Sequence, residues 1–226
     1  MSPPRPAGAF CTCQLRTSCL SSCNLLTTGW ACILGAYGRQ EVIHPTGGAS
    51  GIGAGVVKSL AEAGIQVTIA DLNAVAGDQY AKALAAEGHD VDFVHMDVTS
   101  WASQLSAFKH ALQVSLTNNI DIVIACAGIA GANMLQDAPF TTPTTSEDPQ
   151  PPSFQLAMIN VDLVGAMYTA TLAAHYWQQN PPAPGADNVL ILIASNIAYY
   201  ASPGFTGYAA SKWGVRGMWK ALRATP

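Results

Sequence analysis

An α/β fold built on a doubly wound parallel sheet is predicted by three observations. Short apolar runs rich in β-branched residues recur along the chain, longer helical patterns separate them, and a glycine cluster opens the first of those helices. Strands of this kind read as buried on both faces, which a parallel sheet flanked by helices requires. The layered arrangement expected is helix, sheet, helix.

The elements follow in order. Residues 40–48, QEVIHPTGG, stand where a first central strand belongs, but His44 and Pro45 interrupt it. Proline has no amide to give a central ladder, so intact pairing is not expected there. Strands are expected at VTIAD (67–71), VDFVHMD (91–97), IDIVIACAG (120–128) and NVLILIAS (188–195). Helical patterns occupy 52–63, 74–87, 100–116, 153–179 and 206–223. Residues 131–152 carry Pro and Thr without periodicity and read as a long surface loop, with a shorter one at 179–187. Sheet elements continue on both sides of each loop, so neither divides domains, and the expectation is one domain over 41–226.

The leader, residues 1–40, is different in kind. It holds five of the six cysteines (Cys11, Cys13, Cys19, Cys23 and Cys32), with only Cys126 elsewhere. That spacing fits neither a disulfide framework nor a zinc site, and no metal is expected. Three arginines and no acid before Glu41 give it a faint transit-peptide character. The plainer reading is an atypical, disordered extension on a cytoplasmic protein.

Composition excludes some functions. The net charge of −4 disfavours a phosphate-backbone partner such as nucleic acid. No unbroken apolar stretch reaches eighteen residues, so a membrane span is not expected.

The chemistry-bearing residues form two groups. Thr46-Gly47-Gly48-Ala49-Ser50-Gly51-Ile52-Gly53 spaces its glycines as G-x3-G-x-G at the start of a helix. Such glycines allow a tight turn and let backbone amides approach a pyrophosphate, whose charge a helix N-terminus stabilises. Eighteen residues after Gly53, Asp71 ends the next strand. It is placed to bind ribose hydroxyls and repel a 2′-phosphate, which favours NAD over NADP, or to cap the following turn. Asp97 either hydrogen-bonds an adenine amino group or initiates the helix near Ser100.

The second group is Tyr208-Ala209-Ala210-Ser211-Lys212 with Ser195 thirteen residues before Tyr208. Tyr208 and Lys212, four apart on a helix, share one face. A free phenol ionises near ~10 and is a poor base at neutral pH, but a neighbouring cation stabilises its anion. Ser195 follows a strand, at the sheet end where ligands bind, and its hydroxyl can donate to a reacting oxygen. Singly, each residue has a plainer role on a helix face or in a turn.

Together these motifs resemble the short-chain dehydrogenase/reductase family over roughly residues 41–223, and within it the NAD-dependent 15-hydroxyprostaglandin dehydrogenase-like branch. The motifs are TGGASGIG at 46–53, Asp71, Asp97-Val98, Cys126-Ala127-Gly128, Asn160 in MINVDLVG, Ser195, and YAASK. The resemblance implies a Rossmann-type fold. Gly47, Ser50, Gly51, Ile52, Gly53, Asp71, Asp97, Val98, Ala127 and Gly128 would hold NAD, with Tyr208 and Lys212 also touching it. Ser195, Tyr208, Lys212 and Asn160 would serve hydride exchange with a small secondary alcohol or ketone, Asn160 through a water relay to the lysine. Family members are usually homodimers or homotetramers.

This chain departs from the family pattern at the His44-Pro45 strand, in the forty-residue leader, and in Ala125-Cys126-Ala127-Gly128 where NNAG is usual. Only fourteen residues follow Lys212. The final strands and the substrate-covering loop of the family are therefore expected to be missing, leaving the sheet incomplete at its C-terminal edge. The second functional reading is then a non-catalytic remnant that binds dinucleotide weakly or acts with a partner.

Overall fold

The computed structural model describes residues 9–10, 42–131, 153–182, 188–200 and 203–224. The rest of the leader with its five cysteines, most of the 131–152 loop and residues 183–187 lie outside the described residues.

Among the described residues six parallel strands form one sheet: β1 (Ala9–Phe10), β2 (Val42–Thr46), β3 (Gln66–Asp71), β4 (Val91–His95), β5 (Ile122–Ala125) and β6 (Val189–Leu192). Their spatial order is β1-β6-β5-β2-β3-β4. The strand order reverses between β2 and β5, and a ligand crevice is expected beyond the carboxyl ends of strands at such a switch point. The expected strands all form. At the β6 edge, Ala9 pairs with Val189 and Phe10 with Leu190, so two residues of the leader cap the sheet margin.

The expectation of broken pairing in the first strand is corrected. β2 is a central strand whose register with β5 runs unbroken from Ile43↔Ile122 to Thr46↔Ala125. On the β3 side the ladder pairs Val42↔Gln66, Ile43↔Val67 and then Thr46↔Ala70. The interruption falls where Pro45 offers no amide, and the opposite edge of the strand carries the pairing.

Helices cover both faces. On one side lie α1 (Gly51–Glu62) and α2 (Ala74–Ala86), where Val57 and Leu60 pack with Val67, Ile69, Ile122 and Ile124. On the other lie α3 (Trp101–Val114), a long helix and α6 (Thr206–Ala224). There Phe108 and Ala111 meet Val123, Leu172, Tyr176, Leu190 and Val215. The long helix has three parts: α4 (Ser153–Met158), a π-helical segment Ile159–Val164, and α5 (Gly165–Gln179). Its Leu156–Gln179 stretch is long and apolar enough to cross a membrane. Here, however, Leu172, Ala173, Tyr176 and Trp177 are buried on the sheet, as in a core helix.

Local capping suits the pattern. Asn73 accepts from the Ala76 amide to start α2, and Ser100 accepts from Ser103 to start α3. α1 is the exception: Ser50 makes no side-chain cap, so its first amides keep their donors.

Candidate active site

The crevice at the switch point is a cavity of about 350 Å³. Five chain segments line it. Gly47 and Ser50 to Gly53 come from the β2–α1 turn, Asp71 from the end of β3, Asp97 and Val98 from beyond β4, and Ala127 and Gly128 from beyond β5. Val161 of the π-helical segment completes the wall, with Leu72, Met96, Cys126 and Ile129. The ten residues outside YAASK that the resemblance nominated for cofactor binding therefore share one space.

The floor is backbone because no side chain fits there. Gly47 has φ of +66°, and a β-carbon on it would lie 2.7 Å from the Ala127 α-carbon. One on Gly53 would lie 2.0 Å from the Gly47 carbonyl oxygen. With the uncapped start of α1 among the lining residues, this cradle suits a pyrophosphate. Thr46, buried at the end of β2, accepts from the Cys126 and Ala127 amides at 3.1 Å each. That hydroxyl secures the turn after β5 without any help from the asparagines that ACAG lacks. Thr46 was not singled out by sequence reasoning, although its place just before the glycines was visible.

The two acids differ. Asp71 accepts from the Ala49 amide (3.0 Å) and the Asn73 amide (2.9 Å), so it holds the glycine loop while facing the cavity. Asp97 accepts from the Thr99 amide and hydroxyl at 2.8 and 2.7 Å, and Ser100 caps α3. Helix initiation therefore falls to Ser100, and Asp97 shapes the turn at the cavity edge. Val98 is held by Gln104, whose buried amide donates to the Val98 and Gly165 carbonyls at 2.7 and 2.9 Å and accepts from Thr169.

Tyr208, Lys212 and Ser195 are not among the residues that line this cavity, and the buried Lys212 is the one that reaches its edge. Lys212 is buried with its Nζ 5.6 Å from the centre of the Tyr208 ring. It donates to the Ile193 carbonyl at 3.1 Å, two residues before Ser195. A second tie, Arg216 to the Ala198 carbonyl at 3.1 Å, fixes α6 to the turn beyond Ser195. The Ser195 hydroxyl meanwhile accepts from the Ile197 amide and donates to Asn196 Oδ1 at 3.2 Å. The ammonium and the serine-bearing strand end are thus held in one corner, with the Tyr208 ring 5.6 Å from the ammonium. Gly128 joins that corner to the cavity, since a β-carbon there would sit 3.3 Å from Lys212 Nζ.

Asn160 requires a correction. It is exposed on the π-helical segment, where its carbonyl accepts from the Gly165 amide. Asp162 instead occupies the corner: it is buried, accepts from the Ile129 amide (2.8 Å) and Ser211 hydroxyl (3.1 Å), and lies 3.9 Å from Lys212 Nζ. Residues two apart on a helix face different directions, so only one of the pair can point at α6. Burial raises the Asp162 carboxyl above its ordinary range, opposed by the Ile129 amide, Lys212 and Ser211. Burial likewise pulls the Lys212 ammonium down, opposed chiefly by Asp162. The carboxylate, in place of an amide, hid this position from pattern matching.

Comparison with known proteins agrees with this architecture. The chain is 38% identical over 198 residues to a 5'-hydroxyaverantin dehydrogenase of Dothistroma septosporum, covering 85% of this chain and 63% of that protein. It is 36% identical over 187 residues to the 5'-hydroxyaverantin dehydrogenase of Emericella nidulans, covering 79% and 60%. A NADP-dependent dehydrogenase of Phoma sp. is 34% identical, with 85% and 56% covered. The chain spans about 60% of the length of these relatives. The crystal structure of gox2181 superposes with a TM-score of 0.69 at 28% identity, covering 82% of this chain and 66% of that one. The short chain dehydrogenase family matches residues 41–225, and the chain belongs to it.

Proposed function

We propose that this protein exchanges hydride between NAD(H) and a small secondary alcohol or ketone, with Tyr208 as the proton-transferring group. The observation that carries the reading is the single cavity shared by the ten nominated residues, with Lys212 buried against Gly128 at its edge.

The nicotinamide, when bound, supplies the hydride acceptor or donor. The chain's residues do the rest. The glycine turn and the start of α1 bind pyrophosphate oxygens through backbone amides, and Asp71 accepts from ribose hydroxyls. In oxidation the Tyr208 phenolate, whose negative charge the Lys212 ammonium stabilises, takes the hydroxyl proton of the substrate and becomes the neutral phenol. Ser195 turns its hydroxyl from Asn196 to the substrate oxygen and steadies it. In reduction the proton moves back from Tyr208. NAD is favoured over NADP because the Asp71 carboxylate, held by two amides, cannot swing from an incoming 2′-phosphate. Relatives named as dehydrogenases of a hydroxylated compound support the alcohol class.

The test is NAD titration by calorimetry, followed by absorbance of reduced nicotinamide with a panel of secondary alcohols. Tyr208→Phe is expected to keep NAD affinity and lose turnover by about 10²–10⁴-fold. Turnover that survives the substitution removes Tyr208 as the base. A folded protein without NAD affinity overturns the reading as a whole and favours a non-catalytic role.

A further inference from the structure

Among the described residues, Asp162 and Lys212 are a carboxylate and an ammonium that are both buried, at 1% and 4% exposure. A buried ammonium without a counter-charge is costly, and one hydrogen bond to a carbonyl does not remove that cost. Lys212 has such a bond to Ile193, and its nearest anion is Asp162 Oδ2 at 3.9 Å. The carboxylate is fixed on its other sides. Oδ1 takes the Ile129 amide beyond β5, and Oδ2 shares the Ser211 hydroxyl of α6 with the Tyr208 carbonyl. Asp162 thus joins three elements: the π-helical segment that carries it, the cavity turn and the helix that carries Tyr208.

We propose that Asp162 is a positioning residue whose carboxylate keeps the buried Lys212 ammonium charged and ties its seat to the Gly128–Ile129 turn. The corner then holds a matched pair of charges, whereas an amide at this place would leave a net cation. The titratable groups facing the ammonium are Asp162 from the π-helical segment, Cys126 from beyond β5 and Tyr208 from α6 itself. Burial pushes the Cys126 thiol up, so it stays neutral and adds little charge at ordinary pH. Asp162 is therefore the anion that acts on the lysine. The importance of this for catalysis rests on the role proposed for Tyr208 and Lys212; the electrostatic pairing does not.

The test needs neither nucleotide nor turnover. Lysine labelled with ¹³C at the ε-carbon is followed by NMR across pH, and Lys212→Met identifies the Lys212 resonance by its loss. In Asp162→Asn the amide can still accept from Ile129, so the bond geometry is kept while the charge goes. The Lys212 midpoint is expected to move to lower pH in Asp162→Asn. An unchanged midpoint in the folded variant overturns the proposal. Where Asp162→Asn fails to fold at neutral pH, adding Lys212→Met is expected to restore folding by removing the orphaned ammonium, and failure to restore it is equally decisive against the pairing. Absence of NAD binding or turnover in the unaltered protein overturns the proposed activity alone and leaves these outcomes readable.

Discussion

The carbonyl oxygen of Gly47 occupies the space that a side chain on Gly53 would need: a β-carbon there would approach it to 2.0 Å. The two glycines stand at opposite ends of one turn, so the contact sets how tightly α1 closes over β2. Both ends of this contact are backbone, and no rotamer change relieves it. Gly53→Ala is therefore expected to lower stability by about 1–3 kcal/mol, the usual range for overpacking, despite the better helix propensity of alanine. Because the turn must open, affinity for NAD is expected to fall more than stability does. Denaturant unfolding and calorimetric titration of the same preparation check both.

Asp71 gives a prediction that separates charge from scaffolding. The Ala49 amide binds one carboxylate oxygen and the Asn73 amide the other, so Asp71→Asn keeps an acceptor for one of them and removes the charge. The lost tie weakens binding of either nucleotide alike, so the ratio between them isolates the lost repulsion of a 2′-phosphate. The ratio of NADP to NAD affinity is expected to rise by about tenfold or more, on the scale of one charge-assisted hydrogen bond. An unchanged ratio places the ribose elsewhere.

Gly77 sits within α2, where alanine ordinarily gains up to about 1 kcal/mol. A β-carbon at this site would lie 2.0 Å from Phe93 Cε2 of β4. The clash outweighs the propensity gain, so Gly77→Ala is expected to destabilise. In a Phe93→Ala background all the ring atoms that crowd this site are gone, and the same change is expected to stabilise. A double-mutant cycle by denaturant unfolding reads that reversal of sign.

The sheet was legible because parallel strands buried on both faces leave unmistakable runs: IVIA of β5 and VLIL of β6 are buried at every position. The cavity was legible for a related reason, since backbone cradles demand glycine and strand ends fix where Asp71 must stand. The first strand was misjudged because sequence shows that Pro45 lacks an amide but not which neighbour would have used it. Only the β3 side is interrupted. The corner around Lys212 was misread at one residue for a geometric reason. Asn160 and Asp162 lie two apart in a π-helical segment, and the asparagine had the expected chemistry while the aspartate had the expected place. Thr46 binds the Cys126 and Ala127 amides and Gln104 the Gly165 carbonyl, all far away in sequence, and such bonds leave no local pattern.

His44 leads to the last prediction. It lies in the central strand with no exposure, 4.8 Å from the Phe108 ring, and neither ring nitrogen has a hydrogen-bond partner among the described residues. Burial, aided by the charge of His110, lowers its pKa from 6.5 to about 4. The folded state therefore refuses a proton that the unfolded chain accepts below pH 6.5. The neutral imidazole's contribution is intact above pH 6.5, falls away between pH 6.5 and about 4, and changes no further once both states are protonated. At about 1.4 kcal/mol per pH unit, the loss across that window is about 3 kcal/mol. His44→Val removes the titrating group and both unpaired nitrogens, and it places a β-branched residue in a strand. It is expected to raise stability at pH 7 by about 1–2 kcal/mol, since an unsatisfied buried group costs more than the small void left behind. The gain is expected to widen towards pH 4.5. Urea midpoints for both proteins at pH 7.5, 6 and 4.5 check this: curves that stay parallel across pH would show that the imidazole is not the group being protonated.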